Sequence, residues 1–243
     1  MENKYVWDKI YSENNFNISV RMIENLLKNR QLLYSYYPIV RLLEKNKLKI
    51  NKSIELGAGT GQMSLILKKL GLVKEVYLVD IEKSALEIAK RLFAKFNEKC
   101  TIIHSDMFKL KYKKDEFDLC FSGGLIEHFK GKQQDEVIQI HANLAKYIIY
   151  QFPFNSHTYW LIRCIISAKN KGKWPFGYEK PISKARTKIL MKRNNIKILD
   201  EDFHYVLPAV ACRLKKVPNK ALFSPKNIPF FKMDYAVLCK KIN

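Results

Sequence analysis

Apolar positions near the start of the chain follow helical spacing. Ile18, Met22 and Leu26, then Leu32, Leu33, Ile39, Leu42 and Leu43, fall on one face, so residues 1–48 read as helical, with Pro38 breaking or kinking the stretch because its ring fixes φ and removes a donor. From Lys49 the pattern changes to short apolar runs divided by longer amphipathic segments. Residues 50–56, 75–80, 101–105, 117–121 and 147–152 predict strands, and residues 62–70, 83–96 and 133–145 predict helices between them. A shorter Lys-rich connection joins the third strand to the fourth. Strands alternating with helices imply an α/β domain with a mostly parallel sheet covered on both faces. After Pro153 the alternation stops. Residues 159–168 and 183–193 are helical candidates on either side of an aromatic loop at 172–181, and residues 196–203 and 233–240 read as the last two of seven strands, separated by the Pro-punctuated stretch 208–232. The pattern thus divides the chain into an N-terminal helical cap (1–48), a strand-helix core (49–153), a helical insertion after the fifth strand (154–195) and C-terminal strands completing the sheet (196–243).

Composition adds a basic surface to this picture. Of 243 residues, 47% are hydrophobic, which is ample for a packed core, while 44 Lys and Arg against 23 Asp and Glu leave a net charge of +21. The five cysteines, Cys100, Cys120, Cys164, Cys212 and Cys239, are odd in number and scattered, with no C-x-x-C pair, which argues against a disulfide framework or a zinc site. The first residues lack the basic-then-apolar layout of a signal peptide. No apolar run approaches the roughly 20 residues that span a bilayer. The expectation is a cytoplasmic protein with no membrane span.

The sharpest local signal is Ser53-Ile54-Glu55-Leu56-Gly57-Ala58-Gly59-Thr60-Gly61-Gln62-Met63, a strand that ends in an acid and passes through a glycine loop into a helix. Glycine lets the backbone turn tightly and approach a ligand that a Cβ would obstruct. A dinucleotide fingerprint would place its third glycine at position 62, where this chain has Gln62, which weakens a pyrophosphate reading.

The E-x-G-x-G-x-G run instead resembles motif I of the class I S-adenosylmethionine (SAM)-dependent methyltransferases, and three further landmarks follow in order. Val76-Tyr77-Leu78-Val79-Asp80 ends the second strand in an acid; Ile103-His104-Ser105-Asp106-Met107 matches the third strand end; and Phe117-Asp118-Leu119-Cys120-Phe121-Ser122, followed by Gly123-Gly124-Leu125-Ile126-Glu127-His128-Phe129, is similar to the fourth strand and loop of the small-molecule type. The resemblance implies a Rossmann-like, doubly wound sheet, SAM as cofactor and S-adenosylhomocysteine (SAH) as product. It places Glu55, Gly57, Ala58, Gly59, Gly61, Asp80, Ile81, Asp106, Met107 and Ser122 against the cofactor. Asp80 is the ribose ligand, since a carboxylate accepts from two vicinal hydroxyls. Glu55 faces the methionine end, Asp106 the adenine amino group and Met107 the adenine face.

SAM carries an already activated methyl group, so the protein has chiefly to align the acceptor and exclude water. His128 is the candidate base for an acceptor that must lose a proton, its ordinary pKa being near 6.5; the competing role for Glu127 and His128 is to cap or pack the next helix. Some relatives bind a divalent metal through E-x-x-E-H here. In this chain Gly124 replaces the first glutamate, so no metal is expected. The Asn/Asp-Pro-Pro-Tyr/Phe motif of enzymes acting on base or glutamine amino groups is absent too, which demotes that chemistry.

Acceptor contacts are expected from the segments outside the core, where Trp7, Tyr36, Tyr37, His157, Tyr159, Trp160, Trp174, Phe176 and Tyr178 supply aromatic surface. Glu127, Tyr159, Trp174 and Tyr178 are the substrate-binding candidates, while Glu179 is expected to partner a neighbouring lysine. The expected acceptor is a small molecule of open identity; the basic cluster Lys169, Lys171, Lys173, Lys180, Lys184, Arg186, Lys188, Lys192 and Arg193 marks where an anionic acceptor, a lipid or metabolite included, would enter. RNA is the second choice, because lysines are also spread along the rest of the chain. A non-catalytic SAM-binding protein is the third reading. The sequence leaves O-, N- and C-methylation and the oligomeric state open.

Overall fold

The computed structural model of the protein describes residues 13–205 and 232–242. The helical expectation for residues 1–12, Trp7, Cys212 and most of the Pro-punctuated stretch lie outside them. In chain order the elements are α1 (Glu13–Lys28), α2 (Arg30–Tyr36), α3 (Pro38–Lys45), β1 (Ile50–Leu56), α4 (Gln62–Lys69), β2 (Val73–Asp80), α5 (Lys83–Lys95), β3 (Thr101–His104), β4 (Phe117–Gly123), α6 (Gly131–Leu144), β5 (Ala145–Pro153), α7 (His157–Lys169), α8 (Lys184–Arg193), β6 (Ile196–Tyr205) and β7 (Lys232–Lys241). Short 3-10 turns at Met107–Lys109 and Ile126–His128 follow β3 and β4.

The N-terminal helical stretch is cut twice. Pro38 opens α3, where its missing N–H costs nothing. Asn29 makes the other cut: its side chain accepts from the Leu32 amide at 3.0 Å and caps α2. Ser156 and Ser183 cap α7 and α8 in the same way, through the Tyr159 and Arg186 amides.

The seven strands form one sheet in the order β3-β2-β1-β4-β5-β7-β6. The first five pair in parallel, whereas β7 lies between β5 and β6 and is antiparallel to both. Period-two alternation sorts their side chains between two faces. Leu119, Phe121, Ile149, Ala236 and Leu238 join a core with α1 to α5, and Ile148, Tyr150, Phe152, Tyr235, Val237 and Cys239 join one with α6 and α8. Both faces are covered, so β5 is buried without interruption from Ile148 to Phe152. Tyr37 belongs to the first core, whereas Trp160 is 47% exposed. Among the described residues no helix is long and apolar enough to cross a membrane.

Candidate active site

At the C-terminal end of β1 the chain turns sharply. The Ala58 amide donates to Val79 O at 3.0 Å and the Gly61 amide to Ala58 O at 2.8 Å. Gly57 has a φ of +65°, and a Cβ there would come within 3.0 Å of Leu125 Cδ1, so this position favours glycine on backbone and packing grounds together. Gly61 sits left-handed at the start of α4 with Leu78 close against it, which lets helix and strand approach.

Asp80 ends β2 directly beside this loop. Its Oδ2 accepts from the Gly59 amide at 2.7 Å and its Oδ1 from the Glu82 amide at 2.9 Å, joining the glycine loop to the start of α5. Burial pushes its carboxyl up, against these bonds. Glu55, 4% exposed, accepts from Ser64 Oγ at 2.6 Å, and burial, only partly offset by the Ser64 bonds and reinforced by Asp80, raises its carboxyl to about 8. Ile81 is 45% exposed next to Asp80. Asp106 Oδ1 accepts from the Phe108 amide at 3.0 Å and caps the 3-10 turn, with Met107 half-buried against two core clusters. A cradle of left-handed glycines beside a carboxylate able to accept from a diol fits SAM in the donor and acceptor types it presents.

Ser122 differs from its expected role. It is 1% exposed, and its hydroxyl meets Nε2 of the fully buried His141 at 3.0 Å. His141 Nδ1 lies 2.8 Å from Val137 O, which can only accept, so Nε2 carries the lone pair and the Ser122 hydroxyl donates to it. Burial lowers the His141 pKa to about 4, keeping the ring neutral. The Ser122 side chain is a core hydrogen-bonding group, which leaves only its backbone for a ligand.

Past β4 a cavity of about 350 Å³ opens, within the ~300–1,000 Å³ common for small-molecule sites. Met63, Gly123, Gly124, Glu127 and His128 line one side; the end of β5 (Gln151, Phe152, Pro153), Phe176 and Glu179 from the insertion, and Asp234 of β7 complete it. Backbone bonds hold the insertion there: Lys180 N donates to Glu127 O at 3.2 Å and Ile182 N to Pro153 O at 3.0 Å. Antiparallel pairing sets Asp234 opposite Pro153.

Of the expected acceptor residues, Glu127 lines the cavity, 1% exposed, and burial together with Glu179 and Asp234 pushes its carboxyl far up. Tyr159, Trp174 and Tyr178 do not line it. They back its wall: Tyr159 donates to Glu179 Oε1 at 2.7 Å and accepts from Arg163 at 2.6 Å, Trp174 packs edge-on to Phe176, and the Tyr178 ring lies under Lys130. Glu179 partners Tyr159 and faces the cavity, in place of the expected lysine. The basic cluster is partly engaged elsewhere, with Lys184 held by Glu201 and Arg193 by Asp135, and among the described residues no Lys or Arg lines the cavity. The wall's charge is thus opposite to the one an anionic acceptor would require. Sequence reasoning missed Asp234 and Gln151 as site residues and placed Phe176 only within the aromatic surface of the insertion. A polar residue inside the apolar run of β5 was the signal available for Gln151.

Residues 54–147 match the methyltransferase domain family. Over that stretch, less than half of the chain, the protein is similar to a class I SAM-dependent methyltransferase domain. This chain is 34% identical over 88 residues to the ribosomal protein L11 methyltransferase of Thermotoga neapolitana, a match covering 36% of this chain and 32% of that protein, so it spans about a third of the curated relative's length. Its fold is similar to magnesium protoporphyrin IX methyltransferase from Synechocystis with bound SAH (14% identity, 99% of this chain and 95% of that one, TM-score 0.58). A SAM-dependent methyltransferase from Clostridium acetobutylicum is comparable (14% identity, 84% and 89%, TM-score 0.58). Among the described residues no group of three or more His, Cys, Asp or Glu is placed to hold a metal ion.

Proposed function

We propose that this protein transfers a methyl group from SAM to a small-molecule acceptor held in the cavity beyond β4, with residues 154–195 as the lid over it. The observation that carries the reading is the continuity of the two sites: Gly123, Gly124 and Met63 line the acceptor cavity, and Met63 lies in the first turn of the helix that the glycine loop begins.

SAM, when bound, supplies the methyl group on a sulfonium. The glycine loop with Ala58, Asp80 and Glu55 holds it on one side, and Ile81, Asp106 and Met107 flank its adenine. Phe152, Pro153 and Phe176 keep water from the reacting atoms, while Glu127 and Gln151 orient the acceptor. His128 lines the cavity with Nδ1 committed to the Tyr178 carbonyl, which makes Nε2 the nitrogen able to take a proton. A reducing, cytoplasmic setting goes with this reading, on the free thiols Cys100, Cys120, Cys164 and Cys239.

Calorimetry with SAM, SAH and NAD tests the cofactor half: heat with the two adenosyl ligands and none with NAD is expected, and silence with both adenosyl ligands overturns it. For the acceptor half, a labelled-methyl assay on cell extract separated into RNA, lipid, protein and small-molecule fractions is expected to label small molecules. Label confined to RNA or protein, or no label at all, overturns it.

A further inference from the structure

The side chains that line the cavity are rich in carboxyls. Glu127, Glu179, Asp234 and Gln151 border one space, with no Lys or Arg among the described residues that line it, in a chain whose net charge is +21. Two of their oxygens are buried without any hydrogen-bond donor: Oε2 of Glu127, which is 1% exposed, and Oε1 of Gln151, which is 9% exposed. A buried acceptor without a donor is costly, so native proteins rarely leave one unless a ligand or water completes it. The other two carboxylates are each held in place from behind. Glu179 Oε1 takes the Tyr159 hydroxyl, and Asp234 Oδ2 lies 2.9 Å from His204 Nδ1. Met63, Phe152, Pro153 and Phe176 make the remaining surface apolar.

Resting on the methyltransferase reading above, we propose that the acceptor is an amine on an apolar body, bound as its ammonium among Glu127, Glu179, Asp234 and Gln151. A carboxylate or phosphate ligand would add negative charge to a wall where Glu127, Glu179 and Asp234 already stand close enough for the latter two to push the Glu127 carboxyl up. A neutral hydroxyl brings one donor, fewer than the unsatisfied oxygens. An alkylammonium brings up to three N–H donors and the opposite charge, and charge-assisted bonds of this kind are the strong ones. Such an acceptor differs from the planar base and amide nitrogens set aside at the sequence level. In the transfer the ammonium gives one proton to His128 Nε2, the freed nitrogen pair forms the N–CH3 bond as the methyl–sulfur bond breaks with its electron pair kept by sulfur, and the product leaves as a methylammonium.

The test offers the protein–SAH complex a panel of alkyl- and arylalkylamines, each matched with the alcohol and the carboxylate of the same skeleton, with binding read by saturation-transfer NMR and titration. Amines are expected to bind more tightly than their matched alcohols and carboxylates. The Glu179→Gln/Asp234→Asn double variant, which keeps the shape and removes the charge, is expected to weaken the amines about tenfold or more, as loss of a charge-assisted bond does, while the alcohols hold. Carboxylates or alcohols binding as tightly as amines, no panel member binding, or amine affinity unmoved in the double variant each overturn the proposal. So does a double variant that loses affinity for SAM relative to SAH while keeping the amines, since the carboxylates would then serve the sulfonium. Failure of SAH to bind sinks the methyltransferase reading instead, and the same panel run on the protein alone then decides the amine site by the same criteria.

Discussion

His128 Nδ1 lies 2.6 Å from the backbone oxygen of Tyr178, fifty residues further along the chain. Because a carbonyl only accepts, the ring must donate from Nδ1, so one contact both sets the tautomer of His128 and fastens the insertion to the turn after β4.

Removing that contact has two expected effects. In His128→Ala, hydrogen exchange of residues 176–182 rises and tryptic cleavage after Lys171 and Lys173 accelerates, because a tether between the insertion and the turn is gone. Methyl transfer falls by roughly 100-fold or more if Nε2 is the base, with SAH affinity unchanged. Unaltered exchange and proteolysis would show that the Lys180–Glu127 and Ile182–Pro153 backbone bonds hold the segment by themselves.

Asp80 carries the bond to the Gly59 amide and faces the expected ribose position. Asp80→Ala should weaken SAH binding by about 1–3 kcal/mol, the worth of a hydrogen bond to a charged group. Equal SAH affinity of variant and parent by calorimetry would place the ribose elsewhere.

Ser122→Ala separates a core role from a ligand role. The variant leaves the buried Nε2 of His141 without a donor and should cost about 1–3 kcal/mol of stability in urea melts, while SAH affinity stays unchanged. Undiminished stability with weakened SAH binding would restore the cofactor contact that the sequence implies.

Glu55 makes stability depend on pH in a direction that can be worked out. Burial lifts its carboxyl from 4.5 to about 8, so between those values the folded protein keeps a proton that the unfolded chain has released. The unfolded state binds fewer protons there, and ligand-free stability falls as pH rises from 4.5 to about 8. Glu55→Gln, which still accepts from Ser64, should remove that slope. Urea melts of both proteins across this range are expected to show the variant gaining on the parent with rising pH, and a constant difference would mean that Glu55 ionises normally.

The sequence by itself determined most of the elements and the glycine-loop end of the candidate site, for a local reason. Strand and helix periods are written in neighbouring residues, and Glu55, the three loop glycines and Asp80 sit at strand ends whose parallel register places them side by side. Asn29 escaped notice as a helix boundary because its capping bond spans only three residues inside an otherwise continuous apolar pattern. The tertiary structure decided the acceptor end. Tyr159, Trp174 and Tyr178 are the conspicuous residues of the insertion, yet Phe176 and Glu179 reach the cavity, a choice made by the backbone bonds to Glu127 and Pro153. Asp234 arrives there only because β7 inserts between β5 and β6 and pairs antiparallel with Pro153 opposite it, a register between residues eighty apart that no local pattern encodes. The same long-range packing gives a chain with a net charge of +21 a cavity bordered by three carboxyls, with no Lys or Arg among the described residues that line it.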